Sequence, residues 1–192
     1  MANSTATPNI LTDPGYLFWA PLGTTLPTHS VVGSKFTDAW PVAWINLGAT
    51  EDGSTFAYTT NVEAITVAEF FDPIKYATTE RSGSFAFNLA DYTASNWKRA
   101  MNGGTLTVTG ATTTTMTSYT PPAPGSEIRA MIGWESLDAT VRVVAYQCLQ
   151  GGEISSEFKK APALALIPTK FNFEVPAGGQ PWQMWTAGVA RG

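Results

Sequence analysis

The chain holds one histidine, one cysteine and fifteen carboxylates, and any side-chain catalysis must draw on these. His29 lies in PLGTTLPTHSVVG and reads as a solvated loop residue. A Ser-His-Asp triad would have to use it, and no G-x-S-x-G elbow accompanies it. Cys148 lies in the apolar run VRVVAYQCLQ and reads as a buried, inert thiol. A lone cysteine excludes an internal disulfide. A zinc site would need carboxylates to complete it. No Walker loop, dinucleotide fingerprint or EF-hand pattern is present. Two carboxylates suffice for glycoside hydrolysis. The candidates are Glu51/Asp52, Glu63, Glu69/Asp72, Glu135/Asp138 and Glu153/Glu157. Nothing in their spacing sets two of them across a cleft, so they read as solvated or interface groups. The expectation is a protein that is not an enzyme, with no catalytic residue, no cofactor and no metal ligand.

Seven tryptophans open a second class of chemistry, the stacking of sugars on indole faces. Trp40, Trp44 and Trp97 fall in or beside structured segments and read as core. Trp182 and Trp185 flank Met184 in QPWQMWTAG. They read as a tail docked on the body or as a contact with a neighbouring subunit, ahead of a ligand platform.

Composition narrows the partners. Charged residues make up 14% of the chain, against roughly 25% in typical soluble proteins. That is expected where much of the surface is buried against partners. The net charge of -4 argues against a phosphate-gripping nucleic-acid binder. No stretch approaches the roughly 20 apolar residues of a membrane span. MANSTATPNI carries no export pattern, and Asn3-Ser4-Thr5 reads as a chance sequon. Residues 1–12 are expected to be flexible.

Strand signals dominate the elements that must position all this. In RSGSFAFNLA, Phe85, Phe87 and Leu89 alternate with Ser82, Ser84 and Asn88, which predicts a strand with one face in the core. KFNFEV predicts the same, with Phe171, Phe173 and Val175 inward and Lys170, Asn172 and Glu174 outward. TVRVVAYQCL is apolar on both faces, as in a covered central strand. TLTVTG and Thr112–Thr115 are β-branched and extended, although the threonine run also fits a loop. Asp52-Gly53 predicts a hairpin turn between VAWINLG and TFAYTT. PPAPGS, the Gly103-Gly104 and Gly151-Gly152 pairs, and VPAGGQPW predict loops. One short helix is expected over about 92–102. Asp91 or Thr93 would cap it, and Ala94, Trp97 and Met101 would share a face. Lys98 and Arg99 would suit its C-terminal dipole, and Gly103 would supply the left-handed stop. Too short to stand alone, it must lie on the sheet through Trp97, over Phe85, Phe87 and Leu89. The whole predicts a single mainly β domain, 1–192, an antiparallel sandwich or barrel with one flanking helix.

PLGTTLPT (21–28), WINLGATEDGSTFAYT (44–59) and VAEFFDPIKYATTERSGSFAFNLADYTASNWKRAMNGG (67–104) follow one another in an order. That order resembles the major tail (tail tube) proteins of long-tailed, non-contractile phages, in particular those of actinobacteria. The likeness covers roughly residues 15 to 104. It implies a β-sandwich with a flanking helix, and subunits that close through sheet edges into six-fold rings stacked as a hollow tube. It implies further copies of the chain as partners, with tape measure, tail terminator and tail tip proteins. Double-stranded DNA would pass through the lumen without specific binding, which suits an acidic chain. The protein would belong to the virion tail, and to the host cytoplasm during assembly. Residues 61–80 are the candidate arm to the next ring, with Glu63, Glu69, Phe70, Phe71, Asp72, Pro73, Lys75 and Tyr76 as its contacts. An ordinary hairpin is the other reading of that segment. A carbohydrate- or receptor-binding sandwich is the alternative for the whole chain.

Overall fold

A computed structural model describes residues 14–110, 115–158 and 160–188. The expected flexible start, the Asn3 sequon and Thr112–Thr114 lie outside these residues. In chain order the elements are β1 (Gly15–Pro21), β2 (Val31–Val32), β3 (Lys35–Phe36), β4 (Ile45–Asn46), β5 (Thr50–Ile65), β6 (Lys75–Leu89) and α1 (Ala94–Ala100). There follow β7 (Thr105–Thr109), β8 (Met116–Thr120), β9 (Ala130–Ser136), β10 (Val141–Gln150), β11 (Ile167–Phe173) and β12 (Trp182–Thr186).

The alternation read in β6 holds: Phe85, Phe87 and Leu89 are buried. They face Phe171 and Ile167 of β11, and Leu17, Ile132, Val143 and Ala145 of β1, β9 and β10, across one core. The main sheet is antiparallel throughout, in the order β4-β1-β9-β10-β11-β6-β5. β10 is its fork. Val141–Ala145 pair with β12, while Cys148–Gln150 pair with β11. A register shift between Ala145 and Cys148 returns Cys148 to the face of Val143, where strict alternation would turn it away. The β11-β6-β5 limb thus doubles back over the β1-β9-β10-β12 limb. The fold is mainly β, sandwich-like and without a closed barrel.

The opposite face of β1, β9 and β10 carries a second core of Ala20, Met131 and Val144. The segment 22–44 covers it with Leu26, Trp40 and Trp44. Gly133 makes this possible, because a Cβ there would lie 2.5 Å from the Trp40 ring. Trp40 stacks on Phe18 with centroids 4.3 Å apart.

Three local expectations are corrected. Asp52-Gly53 makes no hairpin turn. It sits inside β5 at a register shift between Thr50 and Ser54, where Gly53 takes a φ of +77°. Glycine chemistry serves a bulge as well as a turn. Val175 is exposed because β11 ends at Phe173, and Ser84, expected outward, is buried. The helix, expected over 92–102, spans Ala94–Ala100. Thr93 is its N-cap, accepting from the Asn96 amide at 3.3 Å. The chain takes positive φ at Asn102 (+56°) and again at the expected Gly103 (+119°), whose amide donates to the Lys98 carbonyl at 2.8 Å. Asn102 earns that position with its side chain, which donates to the Gln150 carbonyl and accepts from the Gln150 amide, each at 2.8 Å. Trp97 packs against the main core as expected, and Met101 is half-buried. The most deeply buried helical residues are Asn96 and Ala100.

Candidate assembly surface

β5 and β6 form one long hairpin, paired from Ser54–Phe87 out to Ile65–Lys75. Its base is held by aromatic packing. Phe56 lies 5.2 Å from Phe85 and 4.9 Å from Trp182, centroid to centroid. Gly83 leaves room for the rings of Phe173 and Tyr58, which a Cβ would meet at 2.4 and 2.8 Å. Beyond Tyr58 the strands leave the body. The pairs from Thr59–Ser82 to Ile65–Lys75 are exposed on nearly every side chain. At about 3.4 Å per residue this free part reaches roughly 20 Å. Asn61 steadies it, donating to Glu80 and accepting from Thr79, both at 3.3 Å.

Residues 66–74 form the tip. Phe70 and Phe71 are exposed there, Phe71 completely, between the acids Glu69 and Asp72. Pro73 is in this loop, where it removes no ladder hydrogen bond. Glu63, Lys75 and Tyr76 sit exposed just below. The structure therefore brings every predicted arm residue onto one projecting hairpin. Phe85, Phe87 and Leu89 are core residues of the same strand.

The tryptophans at 182 and 185 dock on the body, and on opposite faces of it. Three residues apart on a strand, they point opposite ways. Trp182 joins the main core, Trp185 the second core, and Met184 between them is exposed. None of the seven tryptophans is exposed.

His29 is not solvated, contrary to the loop reading. Its ring stacks on Trp185 with centroids 4.1 Å apart and meets Phe36 edge-on. Both ring nitrogens are buried without a hydrogen-bond partner among the described residues. Burial, and then Arg142, push its pKa below the ordinary 6.5, against weaker upward pulls from Asp38 and Glu135. Beneath lies a feature the sequence reading missed. Arg142, in the apolar run of β10, is 1% exposed. Its Nε donates to Glu135 at 2.7 Å, and its terminal nitrogens donate to the carbonyls of Thr28 and Asp38. Trp40 donates its indole N–H to the same Glu135 carboxylate. One apparent surface carboxylate is thus the anchor that pins segment 22–44 to the sheet. An arginine inside an otherwise apolar central strand was the available signal.

Asp138 accepts from the hydroxyls of Ser136 and Thr140 in a turn, which lowers its pKa. Glu51 and Glu157 line one open cleft of about 280 Å3 beside Asn88 and Pro168. Cys148 is buried, and desolvation raises its thiol pKa far out of the reactive range. Among the described residues no group of His, Cys, Asp and Glu could hold a metal ion, and no helix is long and apolar enough to cross a membrane. No protein-family model and no curated protein sequence matches the chain.

Proposed function

We propose that this chain is a structural subunit that self-assembles into stacked rings, six-fold by the resemblance, to form a hollow phage tail tube through which DNA passes. The observation that carries the reading is the β5–β6 hairpin. It projects beyond the core and spends apolar and aromatic side chains where water alone surrounds them. Exposed apolar groups clustered in this way mark a contact surface. The outer edge of β5 supports it too, since an unpaired edge of this length invites another strand. On this reading the chain needs no catalytic site or cofactor, and its partners are its own copies and the proteins that start, measure and end the tail. The carbohydrate-binding alternative needs indole faces open to solvent, and no tryptophan is exposed.

Negative-stain electron microscopy across a concentration series tests the proposal. Uniform rings or hollow tubes are expected. Protein that stays monomeric at every concentration, with and without an isolated tail-tip complex as initiator, overturns it.

A further inference from the structure

The tip of the hairpin carries Glu69-Phe70-Phe71-Asp72, two exposed rings between two carboxylates. A surface fitting that sequence would be an apolar hollow with cations at its rim. The fold has one beside α1. Trp19, Ile45, Leu106 and Ile128 line a hollow of about 200 Å3, together with Ser95, Lys98 and Arg99. Lys98 and Arg99 are adjacent cations in a chain with only 11 lysines and arginines. Among the described residues neither is in an ion pair. Arg99 is half-buried, donating to the side-chain amide oxygen of Asn96 at 2.7 Å and poised 6.0 Å from the Trp19 ring. Trp19 brings a second deficit, a buried indole N–H with no acceptor.

We infer that the Phe70–Phe71 tip of one copy docks in the Trp19/Ile45/Leu106/Ile128 hollow of a second copy, with Glu69 and Asp72 meeting Lys98 and Arg99. The inference rests on the assembly reading and names the surface its arm would reach. Charge selects this hollow over the other apolar one, of about 290 Å3, between Phe56, Trp134, Val143 and Trp182, which has no charged side chain in its wall. The ring of Phe71 would leave water on docking. The hollow belongs to the β4–β1 end of the strand order and the tip to the β5–β6 end. Repeated from copy to copy without reciprocal exchange, a contact between two different surfaces is heterologous, and it propagates as a filament where it does not close.

Two experiments on the full chain test it. The first uses cysteine pairs, since native Cys148 is buried and does not compete. Ala68→Cys protein, which keeps both tip rings, is mixed with Ser95→Cys protein under mild oxidation. A disulfide between the two different variants is the expected product; Ala68→Cys pairing only with itself, or no disulfide at assembling concentration, overturns the docking. The second reverses charge and leaves Arg99 in place, because Arg99 also bonds Asn96. Lys98→Glu should raise the concentration needed for assembly roughly tenfold. Glu69→Lys alone should do the same, and the two together should restore assembly. Circular dichroism confirms that each variant is folded. Wild-type assembly that survives Lys98→Glu unchanged overturns the docking while leaving the assembly reading standing. Absence of wild-type assembly overturns both.

Discussion

Removing the Arg142 guanidinium would strand three acceptors at once, the Glu135 carboxylate and the carbonyls of Thr28 and Asp38. Breaking one side of a buried ion pair costs on the order of 3–5 kcal/mol. Arg142→Met should lose about that much stability in urea denaturation, while Arg129→Met, at the exposed pair with Glu174, should lose far less. Gly133→Ala tests the other side of the same layer. Its new methyl would collide with Trp40, so a cost of roughly 1–3 kcal/mol and a changed near-ultraviolet Trp signal are expected. His29 supplies a pH signature. Its folded pKa is depressed, so the unfolded chain takes up the proton first as pH falls. Stability should hold above about pH 6.5 and decline below it. His29→Phe keeps the ring against Trp185 and should flatten the change in Tm between pH 7 and 5. An unchanged slope in that variant would remove His29 from the explanation. Asp38, Asp138 and Glu174 also have depressed pKa values, and their share is lost only at lower pH, below the ordinary carboxylate range.

At the scale of elements, α1 and the hairpin are stabilised by different means. The helix has only seven residues and no independent stability. Buried Asn96 fastens it, donating to the Leu47 and Asp91 carbonyls at 3.2 and 2.9 Å. Asn96→Ala should therefore cost more than the roughly 1 kcal/mol expected for removing the cap in Thr93→Ala. Thermal melts of the two variants give the comparison. The outer hairpin is the reverse case, since its side chains touch little but each other. Deleting residues 68–76 should leave the Tm of the unassembled subunit, compared at low concentration, nearly unchanged and abolish tubes in the electron microscope. Normal tubes from that variant would remove the hairpin from the assembly.

At the scale of the molecule, a chain with few charges and a broad apolar hairpin should be stabilised by its own copies. Binding that favours the folded state raises apparent stability by mass action. Tm should therefore rise with protein concentration, and the rise should vanish in Phe71→Ser. A concentration-independent Tm in the wild type would speak against self-assembly.

The alternation in β6 and the two-sided apolar run of β10 were legible in the sequence, because period 2 writes burial directly into residue order. The choice of Thr93 over Asp91 as the cap was left open by local sequence, and residues 61–80 read equally as an arm or as an ordinary hairpin. What the sequence could not decide depended on partners far away in the chain. Asp52-Gly53 suits a turn or a bulge equally, and only the pairing with β6 makes it a bulge. Asn102 takes the left-handed position because Gln150, 48 residues on, offers both a donor and an acceptor. Trp182 and Trp185 face opposite ways only once they are known to lie on a strand. Glu135 became a half-buried anchor, and His29 an enclosed ring, only when the fold brought β10 beneath segment 22–44. Local sequence set which faces of β6 and β10 leave water; tertiary structure set what each residue meets, and it alone enclosed Arg142 and His29.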